Sequence, residues 1–278
     1  MPDPVLIEEP VHFGAGGRLF GILTLPTVLP ANGRALPWFV FLNPGMLHRV
    51  GPHRLYVRLA RELANLGFGT LRIDLAGRGD SPARAGLTWQ QSVAADHEEI
   101  VRGLELRLGP VQLVLAGLCS GADDAVMLAP DDARVVGLLL LDPICFPDKG
   151  FAARAVLLKL KHAPVTDYIA WLKRRFASAT AIDALAIQES PTLEQLRSAF
   201  VAVRNRQGRV LSVFTDYAVR YYNSLGQLQR VLGVQGYAQY CTELFWLDTA
   251  HTFELDVHRR RLIAVVRNWA DLWRERRG

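Results

Sequence analysis

At residues 117–121 the sequence reads G-L-C-S-G, and this stretch decides the fold. Residues 111–116 form a short apolar run that is typical of a buried strand. Residues 122–129 have a helical composition, and Pro130 ends that segment. A tight turn between two glycines, placed between a strand and a helix, indicates a nucleophile elbow. The central position of such a turn usually holds serine and here holds cysteine.

Cys119 is therefore the first candidate for chemistry. A side chain at this turn lies at the N-terminus of a helix, where backbone N–H groups and the helix dipole favour negative charge. We expect a lowered pKa for the Cys119 thiol and predict that it is a nucleophile. Ser120 lies one position past the turn, and we expect its backbone N–H to matter rather than its hydroxyl. Cys145 and Cys241 lack this context and are predicted to pack in the core.

Strands and helices alternate around this turn. A predicted hairpin over residues 5–25 precedes a β-α-β-α-β-α-β order, which ends with an apolar strand over residues 135–141. Alternation of this kind predicts an α/β fold with a parallel sheet and helices on both faces. Two further strands are predicted over residues 209–214 and 242–247.

Residues 147–190 interrupt this alternation. They contain predicted helices over residues 152–161 and 166–178 but no predicted strand. We interpret the segment as a helical cap over the strand ends, inserted within a single domain of residues 1–278.

Charge, cysteine count and hydropathy exclude several classes of protein. The 278 residues carry a net charge of +5, but the arginines are spread out, so nucleic-acid binding is not predicted. Three cysteines without regular spacing predict neither a disulfide framework nor a metal site. The glycine-rich stretches at 14–17 and 77–79 lack phosphate-loop or dinucleotide spacing, so no cofactor is predicted.

No signal peptide is evident and no apolar run reaches about 18 residues. We therefore expect a cytoplasmic protein without a transmembrane segment.

A nucleophile of this type needs a general base and a carboxylate that orients the base. His251 lies in a short loop between the last strand and the last helix and is the predicted base. Three aspartates end strands and are candidates for the acid. Asp216 is preferred because it follows a strand that comes after the cap. Asp142 ranks second, and Asp248 ranks third because it lies too close to His251 in sequence.

The oxyanion of an acyl-transfer reaction needs two N–H donors directed at one point. The backbone N–H of Ser120 is the first predicted donor. The second is expected from the loop after an early strand, with the N–H of Met46 as the choice. His48 and Arg49 follow this loop closely, as does His53. They are candidates for binding a substrate carboxylate or phosphate, although a solvated loop would explain them equally well.

These motifs together resemble the α/β-hydrolase superfamily along nearly the whole chain. The resemblance rests on N-P-G-M at 43–46, I-D-L-A-G-R-G-D-S at 73–81, G-L-C-S-G at 117–121, L-L-D-P at 140–143, D-T-A-H-T-F at 248–253 and the helical cap. The runs H-R-V-G-P-H-R-L-Y-V-R-L-A-R at 48–61 and G-L-C-S-G-A-D at 117–123 are most similar to bacterial hydrolases related to serine aminopeptidases, including the exosortase-associated group. Most of the superfamily has serine at position 119, whereas cysteine is similar to dienelactone hydrolases and to some thioesterases and acyltransferases.

The resemblance implies an α/β-hydrolase fold with a mostly parallel eight-stranded sheet. It also implies a nucleophile–acid–histidine order along the chain and hydrolysis of an ester-like bond without a cofactor. The leading hypothesis is therefore an esterase or thioesterase that forms an acyl-enzyme through Cys119, His251 and Asp216. Its substrate is expected to be a small-molecule or carrier-bound acyl compound.

Two alternatives remain open. One is an acyltransferase that passes the acyl group from Cys119 to an alcohol or amine, which a cap that excludes water would favour. The other is a binding protein that has the hydrolase fold but no turnover.

Overall fold

The computed structural model of the protein describes residues 6–28, 35–162 and 190–275. The strands in these ranges are β1 (Glu8–Phe13), β2 (Leu19–Thr24), β3 (Trp38–Leu42), β4 (Thr70–Ile73), β5 (Leu113–Leu118), β6 (Val135–Leu141), β7 (Arg209–Thr215) and β8 (Cys241–Trp246). They form one eight-stranded sheet in the order β1-β2-β4-β3-β5-β6-β7-β8. β2 pairs antiparallel with β1 and with β4, and the other neighbouring strands are parallel. The predicted mostly parallel sheet is confirmed.

Helices cover both faces of the sheet, as predicted. They are α1 (Leu55–Asn65), α2 (Trp89–Leu108), α3 (Ser120–Leu128), α4 (Phe151–His162), α5 (Leu193–Asn205), α6 (Gln227–Leu232), α7 (Tyr237–Tyr240) and α8 (Asp256–Arg274). Successive side chains of a strand point to opposite faces. In β3, Phe39 and Phe41 pack with α1 and α8, whereas Val40 and Leu42 pack with α2, α3 and α5. In the described ranges no helix is long and apolar enough to span a bilayer.

The carboxyl ends of β3, β5, β6 and β7 lie together at one edge of the sheet. The register pairs Leu42 of β3 with Gly117 of β5, and Leu141 of β6 with both Leu118 and Val213. The carboxyl ends of parallel strands lie at the same edge, which is where ligands bind in open α/β sheets. The elbow and the loops after the neighbouring strands are therefore adjacent.

The segment after β6 contains the first predicted cap helix, which the structure shows as α4. Asp148, just before α4, pairs with Arg154 of that helix and with Arg230 of α6, the latter at 2.7 Å. These ion pairs attach the start of α4 to the region between β7 and β8. The second predicted cap helix, over residues 166–178, lies outside the described residues. The short helices α6 and α7 were not predicted, because four to six residues are too few to show a helical hydrophobic period.

Candidate active site

Cys119 lies at a sharp turn between β5 and α3, with φ 56° and ψ −125°. A residue with a side chain rarely adopts positive φ, and such strain is concentrated at functional sites. The flanking glycines allow the turn. A Cβ added to Gly117 would lie 2.1 Å from a backbone atom of Gly121, and one added to Gly121 would lie 2.7 Å from the carbonyl oxygen of Leu42. The G-x-C-x-G spacing is thus a steric requirement of the elbow.

His251 and Asp142 form a hydrogen-bonded pair at this edge of the sheet. The Nδ1 of His251 lies 2.7 Å from Oδ2 of Asp142, whose side chain is fully buried. Thr215, the last residue of β7, donates its backbone N–H to Oδ1 and its hydroxyl to Oδ2 of the same carboxylate, both at 2.6 Å. Tyr217 stacks on the imidazole with ring centroids 4.0 Å apart. The carboxylate of Asp142, held by Thr215, and the ring of Tyr217 therefore fix the orientation of the imidazole.

The prediction that Asp216 orients His251 is wrong. Asp216 is exposed and begins a 3-10 turn (Asp216–Arg220), and its backbone N–H donates to the carbonyl oxygen of Thr249 at 3.1 Å. The strand β7 extends one residue further than predicted, and its last residue, Thr215, holds the carboxylate of Asp142. Asp248, the third candidate, is exposed and pairs with Arg261 at 3.1 Å. Asp142, the second candidate, is the carboxylate that contacts the base.

Cys119 and His251 are also in contact. Burial alone lowers the pKa of His251, but hydrogen bonds to Asp142 and to Cys119, together with their negative charges, outweigh burial and raise the pKa from 6.5 to about 9. The imidazole therefore holds a proton at neutral pH. The structure brings the predicted nucleophile and the predicted base together and adds Asp142 as the partner of the base.

The loop after β3 lies against the elbow. The backbone N–H of Gly45 donates to the hydroxyl of Ser120 at 2.7 Å. The Met46 side chain is 72% exposed, and no hydrogen bond of the Met46 N–H is found within the described part of the chain. The loop is held by Asn43, which donates to Asp74 at 2.8 Å. The predicted oxyanion donors thus come from segments that are adjacent in the structure.

A buried ion pair joins the loop after β3 to helix α3. Arg78 is fully buried, donates to the carbonyl oxygen of Asn43 at 3.0 Å and pairs with Asp124 of α3 at 3.2 Å. Its guanidinium lies 3.9 Å above the ring of Trp89. Burial lowers the pKa of Arg78, and the charge of Asp124 opposes that effect. Residue patterns alone did not identify these supporting residues, or Thr215, because their partners are distant in sequence.

The structure does not support the prediction that Arg49 binds a substrate anion. Arg49 is buried, and its guanidinium pairs with Asp74 and, at 2.7 Å, with Asp80. The Nε2 of His48 lies 3.4 Å from a carboxylate oxygen of Asp80. The ligand atoms of His48, Asp74 and Asp80 lie within 4.8 Å of one another, a spacing that a metal ion would need. Arg49 already supplies positive charge between the two carboxylates, so this cluster is explained by ion pairs within the fold.

The other two cysteines lie where core packing was predicted. Cys145 is 2% exposed and belongs to the core on the α2 side of the sheet, and burial raises the pKa of its thiol to about 12. Cys241 packs against the same core, and burial raises the pKa of its thiol as well. Cys119, Cys145 and Cys241 are all free.

Comparisons with known proteins agree with the fold. A family model described as "Alpha/beta hydrolase family" matches residues 39–268. An esterase from Pyrococcus furiosus is 14% identical, with a TM-score of 0.62 over 98% of this chain and 92% of that one. A serine hydrolase homologue from Coxiella burnetii is 16% identical, with a TM-score of 0.55 over 94% of this chain and 96% of that one. The thioesterase domain of the curacin biosynthetic pathway is 14% identical, with a TM-score of 0.53 over 96% of this chain and 99% of that one. The TM-scores and coverages show a common fold. No curated protein matches the sequence.

Proposed function

The chain belongs to the alpha/beta hydrolase family, and from this premise we propose that it hydrolyses ester or thioester bonds without a cofactor, with Cys119 as the nucleophile. The observation that carries the proposal is the contact of His251 with Asp142 on one side and with Cys119 on the other. An acid, a base and a nucleophile in contact are the arrangement that covalent acyl transfer requires.

In the first step, Sγ of Cys119 attacks the carbonyl carbon of the substrate. In the proposed mechanism Cys119 attacks after its proton has passed to His251, whose pKa is raised by hydrogen bonds to Asp142 and Cys119. As the tetrahedral intermediate collapses, the carbon–oxygen or carbon–sulfur bond to the leaving group breaks. The imidazolium gives its proton to that leaving group.

In the second step, a water molecule attacks the thioester formed on Cys119. His251 takes a proton from the water, the acid leaves, and the Cys119 sulfur is released. In both steps the oxygen of the intermediate carries negative charge. The N–H of Ser120, at the N-terminus of α3, and the N–H of Met46 are the donors that we assign to it.

Asp142 and Thr215 prepare the base for both steps. The carboxylate of Asp142 holds the Nδ1–H of His251 and favours the imidazolium, and two hydrogen bonds from Thr215 keep the carboxylate in place. Residues 147–190 are proposed as a cap over this site. The ion pairs of Asp148 with Arg154 and with Arg230 would anchor its first helix.

The test is acylation of the intact protein by p-nitrophenyl butyrate and by a butyryl thioester, followed by peptide mass spectrometry. We expect a butyryl adduct on Cys119 alone and loss of turnover in Cys119→Ala. Cys241→Ala is the matched control, because it removes a thiol away from the site, and it should keep full turnover. Turnover that persists in Cys119→Ala, or that depends on the hydroxyl of Ser120, would refute the assignment.

The same reaction carried out with an added alcohol or amine separates hydrolysis from acyl transfer. Butyric acid as the main product supports the proposed hydrolase. A butyryl ester or amide of the acceptor as the main product would replace it with an acyltransferase that uses the same nucleophile.

A further inference from the structure

Asp123 lies one helical turn after Cys119 in α3. Its backbone N–H donates to the carbonyl oxygen of Cys119 at 3.1 Å. Cys119 is the residue just before α3 and Asp123 lies in the first turn of that helix, so Asp123 lies one turn from the residue that carries the thiol. Its Oδ1 accepts the backbone N–H of Ile144 at 2.9 Å. Ile144 is two residues beyond Asp142, so the carboxyl lies between the nucleophile and the loop that carries the acid.

The second oxygen of this carboxyl, Oδ2, has no hydrogen-bond or ion-pair partner in the part of the chain that the structure describes. The other charges around the elbow are balanced. Asp124 pairs with Arg78, and Asp142 pairs with His251. Asp123 is therefore the carboxylate beside the nucleophile whose charge has no counterion among the described residues.

Two tyrosines lie close enough to Asp123 and to the catalytic groups for the charges of both to affect them. Its negative charge contributes to the raised pKa of Tyr217, which stacks on His251, and to the raised pKa of Tyr221. The hydroxyl of Tyr221 lies 3.4 Å from the carbonyl oxygen of Asp142. The titratable groups that interact with Asp123 are thus Asp124 on its own helix and the two tyrosines. Arg220 lies 3.6 Å above the Tyr217 ring.

The carboxyl is half-buried, so its ionisation is unfavourable. Burial, with a smaller effect from the charge of Asp124, raises the pKa of Asp123 to about 7 although Ile144 donates a hydrogen bond to it. An ionised group of this kind destabilises the folded protein at neutral pH and above. An asparagine would accept the same hydrogen bond without this penalty. A destabilising carboxyl next to a nucleophile indicates a functional role.

We propose that Asp123 is a specificity-determining residue that binds a positively charged group, such as an alkylammonium, on the acyl substrate of Cys119. The inference rests on the proposed function, because it takes Cys119 as the nucleophile. The unpartnered Oδ2 supplies the negative charge. A bound cation would supply the missing counterion and favour the ionised carboxylate.

The test compares substrate pairs that have the same shape but differ in charge. Butyrylthiocholine and S-(3,3-dimethylbutyl) thiobutyrate place the charge in the leaving group. The p-nitrophenyl esters of 4-(trimethylammonio)butyrate and of 5,5-dimethylhexanoate place it in the acyl chain. For each pair, the ratio of kcat/KM for the cationic substrate to that for the neutral substrate is measured between about pH 5.5 and 8.5. Titration of the shared triad cancels in this ratio.

In the wild-type protein at least one pair is expected to favour the cation about tenfold at the high end of this range, and the preference should fall as Asp123 is protonated. In Asp123→Asn the ratio should be close to one and independent of pH. Asp131→Asn, which removes an exposed carboxylate beyond the other end of α3, should keep the wild-type ratio. Reaction of Cys119 with a cationic and with a neutral methanethiosulfonate, which forms a mixed disulfide and releases methanesulfinate, gives the same comparison without turnover.

The outcomes separate the two proposals. If Asp123→Asn leaves all ratios unchanged while turnover of the neutral esters depends on Cys119, the inference about Asp123 is overturned and the proposed hydrolase stands. If no turnover of any ester depends on Cys119, the proposed function itself fails. The ratio of the two rates of disulfide formation then shows whether the negative charge of Asp123 acts on the thiol.

Discussion

Replacement of Asp142 by asparagine is expected to remove most of the proposed activity while the protein stays folded. The raised pKa of His251, about 9 instead of 6.5, measures how strongly its partners favour the imidazolium. At about 1.36 kcal/mol per pKa unit this amounts to roughly 3 kcal/mol, shared between Asp142 and Cys119. If most of that share belongs to the 2.7 Å contact with Asp142, kcat/KM should fall by about 10²-fold.

The pH dependence of the reaction gives the sign of the effect. A histidine with a raised pKa keeps its proton up to about pH 9, so acylation that needs the imidazolium should decline only above that value. In Asp142→Asn the pKa of His251 should move back towards 6.5, and the alkaline decline of kcat/KM should move to lower pH with it. Hydrolysis of p-nitrophenyl butyrate across this pH range measures both quantities.

Asp216→Asn is the matched control, because Asp216 is also an aspartate at a strand end but is exposed and does not contact the imidazole. It should change kcat/KM by less than about twofold. Urea unfolding of both variants shows whether each is folded under the assay conditions. The reasoning is refuted if Asp216→Asn loses as much activity as Asp142→Asn, or if a folded Asp142→Asn keeps the wild-type rate and alkaline decline.

Three further predictions concern the residues around the triad. Thr215→Val removes one hydroxyl hydrogen bond to Asp142 but keeps the backbone one, so kcat/KM measured with the same ester should fall about tenfold with little change in shape. Arg78→Met leaves the buried carboxylate of Asp124 without its cation and should lower the free energy of unfolding in urea by about 3–5 kcal/mol. The result would be contradicted if the double variant Arg78→Met, Asp124→Leu were no more stable than Arg78→Met alone. Asp123 has a folded-state pKa of about 7, above its unfolded value of 3.8, so its contribution to stability is lost as the pH rises between those values. Asp123→Asn should therefore be more stable than the wild type at pH 8 by up to about 4 kcal/mol and should lose this advantage near pH 4, as measured by urea unfolding at each pH.

The elbow is the part of the site that could be predicted most fully from the sequence. Cys119 and the glycines two positions before and after it are constrained by contacts within a few residues and with the neighbouring strand end, so their spacing alone indicates the turn. His251 could be predicted because it lies between the last strand and the last helix. The register of β6 and β7 shows why the acid could not. The ends of these strands are adjacent, so Asp142 and Asp216 both reach the correct edge of the sheet.

The partners of buried charged residues were the other feature that could not be predicted from the sequence. Arg49 follows the loop after β3 and has the appearance of an anion-binding residue, but its partners Asp74 and Asp80 lie 25 and 31 residues away. Arg78 and Asp124, 46 residues apart, form a buried pair for the same reason. No local pattern states which charges are neutralised within the fold and which remain for a ligand.

By itself the sequence determined the alternation of strands and helices, the parallel sheet and the place of the elbow, because these depend on hydrophobic period and on short-range backbone sterics. Only the tertiary structure decided that Asp142 orients His251, that Arg49 is neutralised internally and that Asp123 has an oxygen without a described partner. These features depend on the final strand register and on which side chain faces the site at each strand end. At the end of β7, Thr215 donates two hydrogen bonds to Asp142, whereas the next residue, Asp216, is exposed.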